Sequence, residues 1–146
     1  MATFVVVPAI VLSGLASART KHHTYALEDC YSTRFKPSMI TIKLRCWADS
    51  GIYADIDKWA SWDRKTRRGL AARAIGTIRL NDCNPNCAAG HQHWRKATIV
   101  LFDRGWCKKA HRHVYRRQFI KYRGRDHGPG KVDWPKGRFW LGCPHR

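Results

Sequence analysis

The strongest constraint on the fold is a pair of cysteines four positions apart, set in a run of turn formers. The stretch Asn81-Asp82-Cys83-Asn84-Pro85-Asn86-Cys87-Ala88-Ala89-Gly90-His91-Gln92-His93 contains three asparagines, a proline, a glycine and two histidines. Asn, Asp, Pro and Gly each favour turns for a separate backbone reason. Alternating apolar and polar residues lie on both sides. The span therefore reads as a tight, cross-linked loop between two strands.

Period two recurs elsewhere. Over Met39 to Cys46, Ile40, Ile42, Leu44 and Cys46 share one face, and Thr41, Lys43 and Arg45 the other. That pattern predicts a half-buried strand. Asp49-Ser50-Gly51 is a turn, and Ile52 to Trp59 continues with Ile52, Ala54 and Ile56 aligned. Leu70 to Leu80 places Ala72, Ala74, Gly76, Ile78 and Leu80 together, small enough to admit a close neighbour. Arg95 to Phe102, rich in Thr, Ile and Val, is the clearest strand, and Asp103-Arg104-Gly105 is expected to turn it. Val114 to Tyr122 is the last candidate. The basic run Arg64 to Gly69 reads as a solvated loop. Short strands separated by turn signals predict an all-β, antiparallel sandwich or barrel, cross-linked by disulfides. Residues 19–122 would form this domain behind a polar lead-in. Residues 123–146, rich in Gly, Pro, Trp and basic side chains, are expected to wrap it as an irregular tail.

The chain has 146 residues, enough for one domain. Met1 to Ala18 carries no charged side chain, has an apolar centre from Phe4 to Leu15, and ends Ala16-Ser17-Ala18 before Arg19. That is the layout of a cleaved signal peptide rather than a membrane span. After Ala18 no apolar stretch approaches membrane-spanning length. Cys30, Cys46, Cys83, Cys87, Cys107 and Cys143 all follow the leader, and an even count there implies disulfides in a secreted, extracellular protein. Six cysteines allow about 15 connectivities, and the sequence does not choose among them.

The order of several motifs resembles a group of small secreted actinobacterial proteins of unknown function. The residues that carry it are Trp59-Ala60-Ser61-Trp62, then Ala74-Ile75-Gly76-Thr77, then Asn81 to Gly90 with Cys-x-Pro-Asn-Cys at its centre, then His93. The likeness spans about Leu44 to Tyr122. It implies export, a β-core and a Cys83–Cys87 disulfide, and supplies no activity. Cys46 and Cys107 match two flanking cysteines of that pattern, so Cys46–Cys107 is the pairing expected from it, which leaves Cys30 with Cys143. Cys30, Cys143 and the basic tail are additions to the pattern.

Charge bounds the partners. There are 28 Lys and Arg against 10 Asp and Glu, a formal net charge of +18. Such an excess favours anionic partners. From Lys108 onward there are 12 Lys and Arg against 2 Asp. The candidate binding residues are therefore Arg112, Arg116, Arg117, Lys121, Arg123 and Arg125, with Trp134 and Trp140 as stacking groups. The competing reading is a solvated tail that keeps the protein soluble. Trp47, Trp59, Trp62 and Trp94 are expected to pack in or beside the core. Trp106 shares the basic surroundings of Trp134 and Trp140.

Other chemistry is weaker. Cys83, Cys87, His91 and His93 could in principle hold zinc, but the Cys87-to-His91 gap is short for a finger, and exported thiols oxidise. His111 and His113 read as exposed histidines. His93, His113 and Lys96 could be imagined as the base, acid and cation of a phosphodiesterase. Asp55 and Asp57 read as surface counter-charges. There is no Gly-x-Ser-x-Gly, P-loop or His-Glu-x-x-His. The sequence thus points to a secreted cationic protein that binds an anionic polymer, such as a cell-wall polymer or nucleic acid, without cofactor or metal. The alternatives are a secreted hydrolase or nuclease using His93 and a second histidine, and a structural or antimicrobial protein.

Overall fold

The computed structural model describes residues 23–29, 31–43, 52–84 and 86–143. The expected leader, Cys30, Cys46 and Trp47 lie outside them. The described residues are all-β. Eight strands run β1 Ala26–Leu27, β2 Thr33–Arg34, β3 Met39–Lys43, β4 Ile52–Thr66, β5 Gly69–Asn81, β6 Gln92–Cys107, β7 Arg112–His127 and β8 Gly137–Trp140. β1 and β2 form a small hairpin. The other six make one antiparallel sheet in sequence order, curled into a half-barrel.

The curl follows from strand length and irregularity. β4 to β7 have 13 to 16 residues each. Strands this long accumulate the right-handed twist of L-residues, and bulges increase it. The β4–β5 ladder shifts register three times, between Ile56 and Lys58, Trp59 and Ser61, and Ser61 and Arg64. Gly76 sits opposite Ile56, where a Cβ would overlap the Asp55 carbonyl oxygen. The small residue predicted to admit a close neighbour thus admits the bulged backbone of the next strand.

The concave side holds the core. Cross-strand register aligns Ala74, Ile99 and Ile120, and one step along aligns Ala72, Leu101 and Gln118. All six are buried. Ile40, Ile42, Ala54 and Ile78 complete the apolar interior from β3, β4 and β5. Gln118 shows how far the sheet bends. Its amide Nε2 donates to the Ile42 carbonyl on β3, four strands away in the sheet order.

The N-terminal segment joins the free edge of β7. Tyr25 N donates to His113 O at 2.9 Å, and Tyr115 N donates to Tyr25 O at 3.0 Å. A half-buried polar cluster fastens this junction. Tyr115 Oη donates to Asp63 Oδ1 at 2.7 Å, Thr24 N donates to Asp63 Oδ2 at 3.1 Å, and Trp62 Nε1 donates to Thr24 O at 3.1 Å. Burial first, and then the Asp63 carboxylate, push the Tyr115 phenol well above its ordinary range. Trp59 meets Trp62 edge-on at 4.4 Å between centroids, as expected for core tryptophans. Trp94, expected with them, is half exposed.

Several sequence expectations are corrected. Arg64 to Gly69 is a tight β-hairpin, because Gly69 at φ 98° lets β5 turn back directly onto β4. Asp103-Arg104-Gly105 does not turn the chain. β6 runs through it to Cys107, with Asp103 at φ 59°, and the turn falls between Cys107 and Arg112. Residues 123–127 continue β7, and β8 adds a further strand, so less of the tail is irregular than composition suggested.

The Cys83–Cys87 disulfide is present. Cys107 pairs with Cys143, not with Cys46, and Cys143 is therefore not bonded to Cys30. The reason is the path of β8. It lies along β7, and Leu141 N donates to Arg116 O at 2.7 Å. That path carries Cys143 to the end of β6, with 5.7 Å between the two Cα atoms. Peptide mapping without reduction is expected to recover both bonds. Cys143→Ser opens a link across a sequence separation of 36 and is expected to cost about 3–4 kcal/mol by chain entropy, measured by denaturant unfolding.

Candidate functional site

The double-cysteine loop is a folding device. Its asparagines and aspartate satisfy its own backbone. Asn81 Oδ1 accepts from Cys83 N at 2.9 Å, and Asn81 Nδ2 donates to Cys87 O at 2.8 Å. Asn86 Oδ1 accepts from the amides of Ala88 and Ala89. Asp82 Oδ1 accepts from the amides of Asn84 and His91 at 3.1 and 2.8 Å. Its other oxygen lies 3.3 Å from His93 Nε2 and 3.4 Å from His91 Nδ1. The His91 and Asn84 amides are the main cause that holds the Asp82 carboxyl at about 2. The cysteines are spent on a disulfide, so the zinc set is not available.

The imidazoles do not converge. His93 is 1% exposed and pairs across the ladder with Leu80, and a Cβ on Gly128 would come within 2.7 Å of its Nδ1. His113 pairs with Trp106 at the other end of β6 and meets that indole edge-on. Thirteen residues of strand separate positions 93 and 106, roughly 40 Å at about 3.3 Å per residue before the curl is taken into account. Lys96 is bonded to Asp57 at 2.9 Å. The imagined His93, His113 and Lys96 set is therefore not assembled, because the pleated strand places its members at separate stations.

A different surface comes together on the convex side of β5 to β8. Residues directly opposed across a ladder share a face, and so do alternate residues along a strand. Register gives four successive rows: Thr77, Lys96 and Arg123; Ile75, Thr98 and Lys121; Arg73, Val100, Phe119 and Arg138; Phe102, Arg117 and Trp140. Phe119 is 40% exposed and Trp140 56%. Arg68, from the β4–β5 hairpin tip, joins Val100, Phe102, Phe119 and Arg138 to line a groove of about 220 Å³. The floor is apolar and the walls are guanidinium groups.

The charges here are mostly uncompensated. Asp103 engages Arg116 at 3.0 Å and Arg117 at 3.3 Å, and both guanidiniums lie within 5.4 Å of the Trp140 ring centroid. Gly105 leaves room for this arrangement, since a Cβ there would overlap the Arg116 side chain. Among the described residues, no carboxylate pairs with Arg68, Arg73, Lys121, Arg123 or Arg138.

Of the residues singled out from sequence, Arg117, Lys121, Arg123 and Trp140 fall on this face, and Arg116 reaches Trp140. Arg112 does not join them. It stacks on Tyr25 at 4.5 Å and donates to Ala110 O, as part of the N-terminal junction. Arg125 is exposed beyond Gly124, which has φ 68° and lies where the β6–β7 register shifts. Trp134 is 5% exposed and packs on Tyr122, so it offers no face to a ligand. Sequence reasoning missed Arg68, Arg73, Phe102, Phe119 and Arg138. Phe119 was signalled by its place between Arg117 and Lys121 in a period-two strand. Arg73, Phe102 and Arg138 come from strands that only the register aligns, and Arg68 comes from the β4–β5 hairpin tip.

No family model, no curated protein and no solved structure matches the chain. Geometry and chemistry alone carry the assignment.

Asp82 gives a testable acid limb. Its folded pKa of about 2 lies below the ordinary 3.8, so its stabilisation is present above that ordinary value and is lost as pH falls through about 2. Unfolding followed from neutral pH down to about pH 2 is expected to show this loss. Asp82→Asn is expected to be less stable at neutral pH and flatter across the same acid range.

Proposed function

We propose that this protein binds an anionic polymer along the convex face of β5 to β8. The observation that carries the reading is the row Arg73, Val100, Phe119 and Arg138, with Arg117 and Trp140 beside it. A polyanion crossing these rows meets cations from β5, β7 and β8, and an apolar floor between them. The net charge of +18 would draw such a ligand from a distance and release its counterions on contact. The Cys83–Cys87 and Cys107–Cys143 disulfides support a place outside the reducing cytosol, and the uncharged leader supports export. Cell-wall polymers and nucleic acids both fit this description.

Binding of inorganic polyphosphate at several salt concentrations tests the reading. The logarithm of affinity is expected to fall linearly with the logarithm of salt concentration. Arg138→Gln, Arg73→Gln and Lys121→Gln are each expected to weaken binding and flatten that slope by about one unit. Lys36→Gln, placed in the lead-in over Phe35, is expected to leave the slope unchanged. Folded variants of Arg73, Lys121 and Arg138 with the wild-type affinity and slope would show that this face is not the binding surface.

A further inference from the structure

We infer that the polymer this face takes is single-stranded nucleic acid, with bases stacked on Phe119 and Trp140. The inference rests on the polyanion reading and narrows it. Charge alone would be met by a field of arginines and lysines. This face also exposes two aromatic side chains among those cations, where water would otherwise favour a polar residue. Phe119 stands between Val100 and Arg138 in its row, and Trp140 stands opposite Arg117 in the next. An aromatic face beside a phosphate-binding cation is the pairing that holds a nucleotide by base and backbone together.

Spacing favours one strand over two. Trp140 pairs with Arg117, so Phe119 is its diagonal neighbour, with the two positions roughly 7–8 Å apart. Stacked bases in a duplex follow one another at about 3.4 Å along each strand. Two bases on these two rings must therefore be drawn apart, as an extended single strand allows and a duplex does not. A broad sheet surface also cannot enter a duplex groove as a helix or a two-stranded ribbon does. Sheets that present aromatic side chains to splayed bases are an established way of holding single strands. Both aromatics lie on strands of the sheet, Phe119 bordering the groove and Trp140 ending β8, rather than protruding from a loop tip as a membrane-inserting group would.

The experiment compares probes of matched length and charge on the full chain with its disulfides intact. The probes are oligothymidylate, the corresponding abasic strand, a thymidine–adenine duplex and a polyuronate. Oligothymidylate is expected to bind about tenfold or more tighter than the abasic strand. Trp140→Leu and Phe119→Leu are each expected to lose about tenfold for oligothymidylate and to leave abasic binding unchanged. Equal affinity for the thymidylate and abasic strands overturns the stacking inference, and so does preference for the duplex or the polyuronate; in these cases polyanion binding stands. Failure of every probe to bind with salt sensitivity overturns the polyanion reading itself. The first comparison uses the unsubstituted protein, so it does not depend on any variant folding.

Discussion

The curl of one antiparallel sheet is the constraint on which everything else depends. Four long strands with bulged register cannot lie flat, and the bend divides the molecule into two chemically distinct sides. Ala72, Ala74, Gly76 and Ala97 line the concave side, where their short side chains let the sheet close on Ile99, Leu101 and Ile120. Larger residues there would hold the strands apart. Gln118 then reaches the β3 backbone, and the N-terminal segment takes the edge of β7 that a flatter sheet would leave open. The cluster of Thr24, Trp62, Asp63, Arg104 and Tyr115 satisfies polar groups at this junction, which is what keeps a half-buried carboxylate tolerable.

The same bend explains the site. Apolar residues are drawn inward, so the basic excess is left on the convex side and at the hairpin tips. Of the few acids on that surface, Asp55 neutralises Arg79, Asp57 neutralises Lys96, and Asp103 is shared by Arg116 and Arg117. Arg68, Arg73 and Arg138, which have no carboxylate partner among the described residues, flank Val100, Phe102 and Phe119. A solvated basic face would have no reason to keep three apolar side chains in one groove. The Cys83–Cys87 and Cys107–Cys143 disulfides work at the margins of this design. One closes the loop before β6, and the other ties the chain end after β8 to the end of β6.

The motif that stands out most in the sequence is not where the chemistry lies. Asn81, Asp82, Asn84, Asn86 and the two cysteines answer a local problem, the reversal between β5 and β6. His91 and His93 complete it by engaging Asp82. Unusual composition marked a turn that needed unusual backbone, including Cys83 at φ 52°.

What the sequence by itself determined is what depends on near neighbours. Period two fixed the β class and the positions of β5, β6 and β7, because pleating makes alternate residues share a face. The Cys83–Cys87 bond followed from a short spacer of turn formers. Arg117, Lys121 and Arg123 were legible as binding candidates from the charge excess after Lys108. Tertiary structure decided what depends on register. It set Arg73 and Arg138 on either side of Val100 and Phe119, brought Arg68 over the groove, and buried Trp134 against Tyr122 while leaving Trp140 exposed. It also joined Cys107 to Cys143, since that bond depends on where β8 lies along β7. Ladder pairing joins residues tens of positions apart, and no local pattern carries that distance.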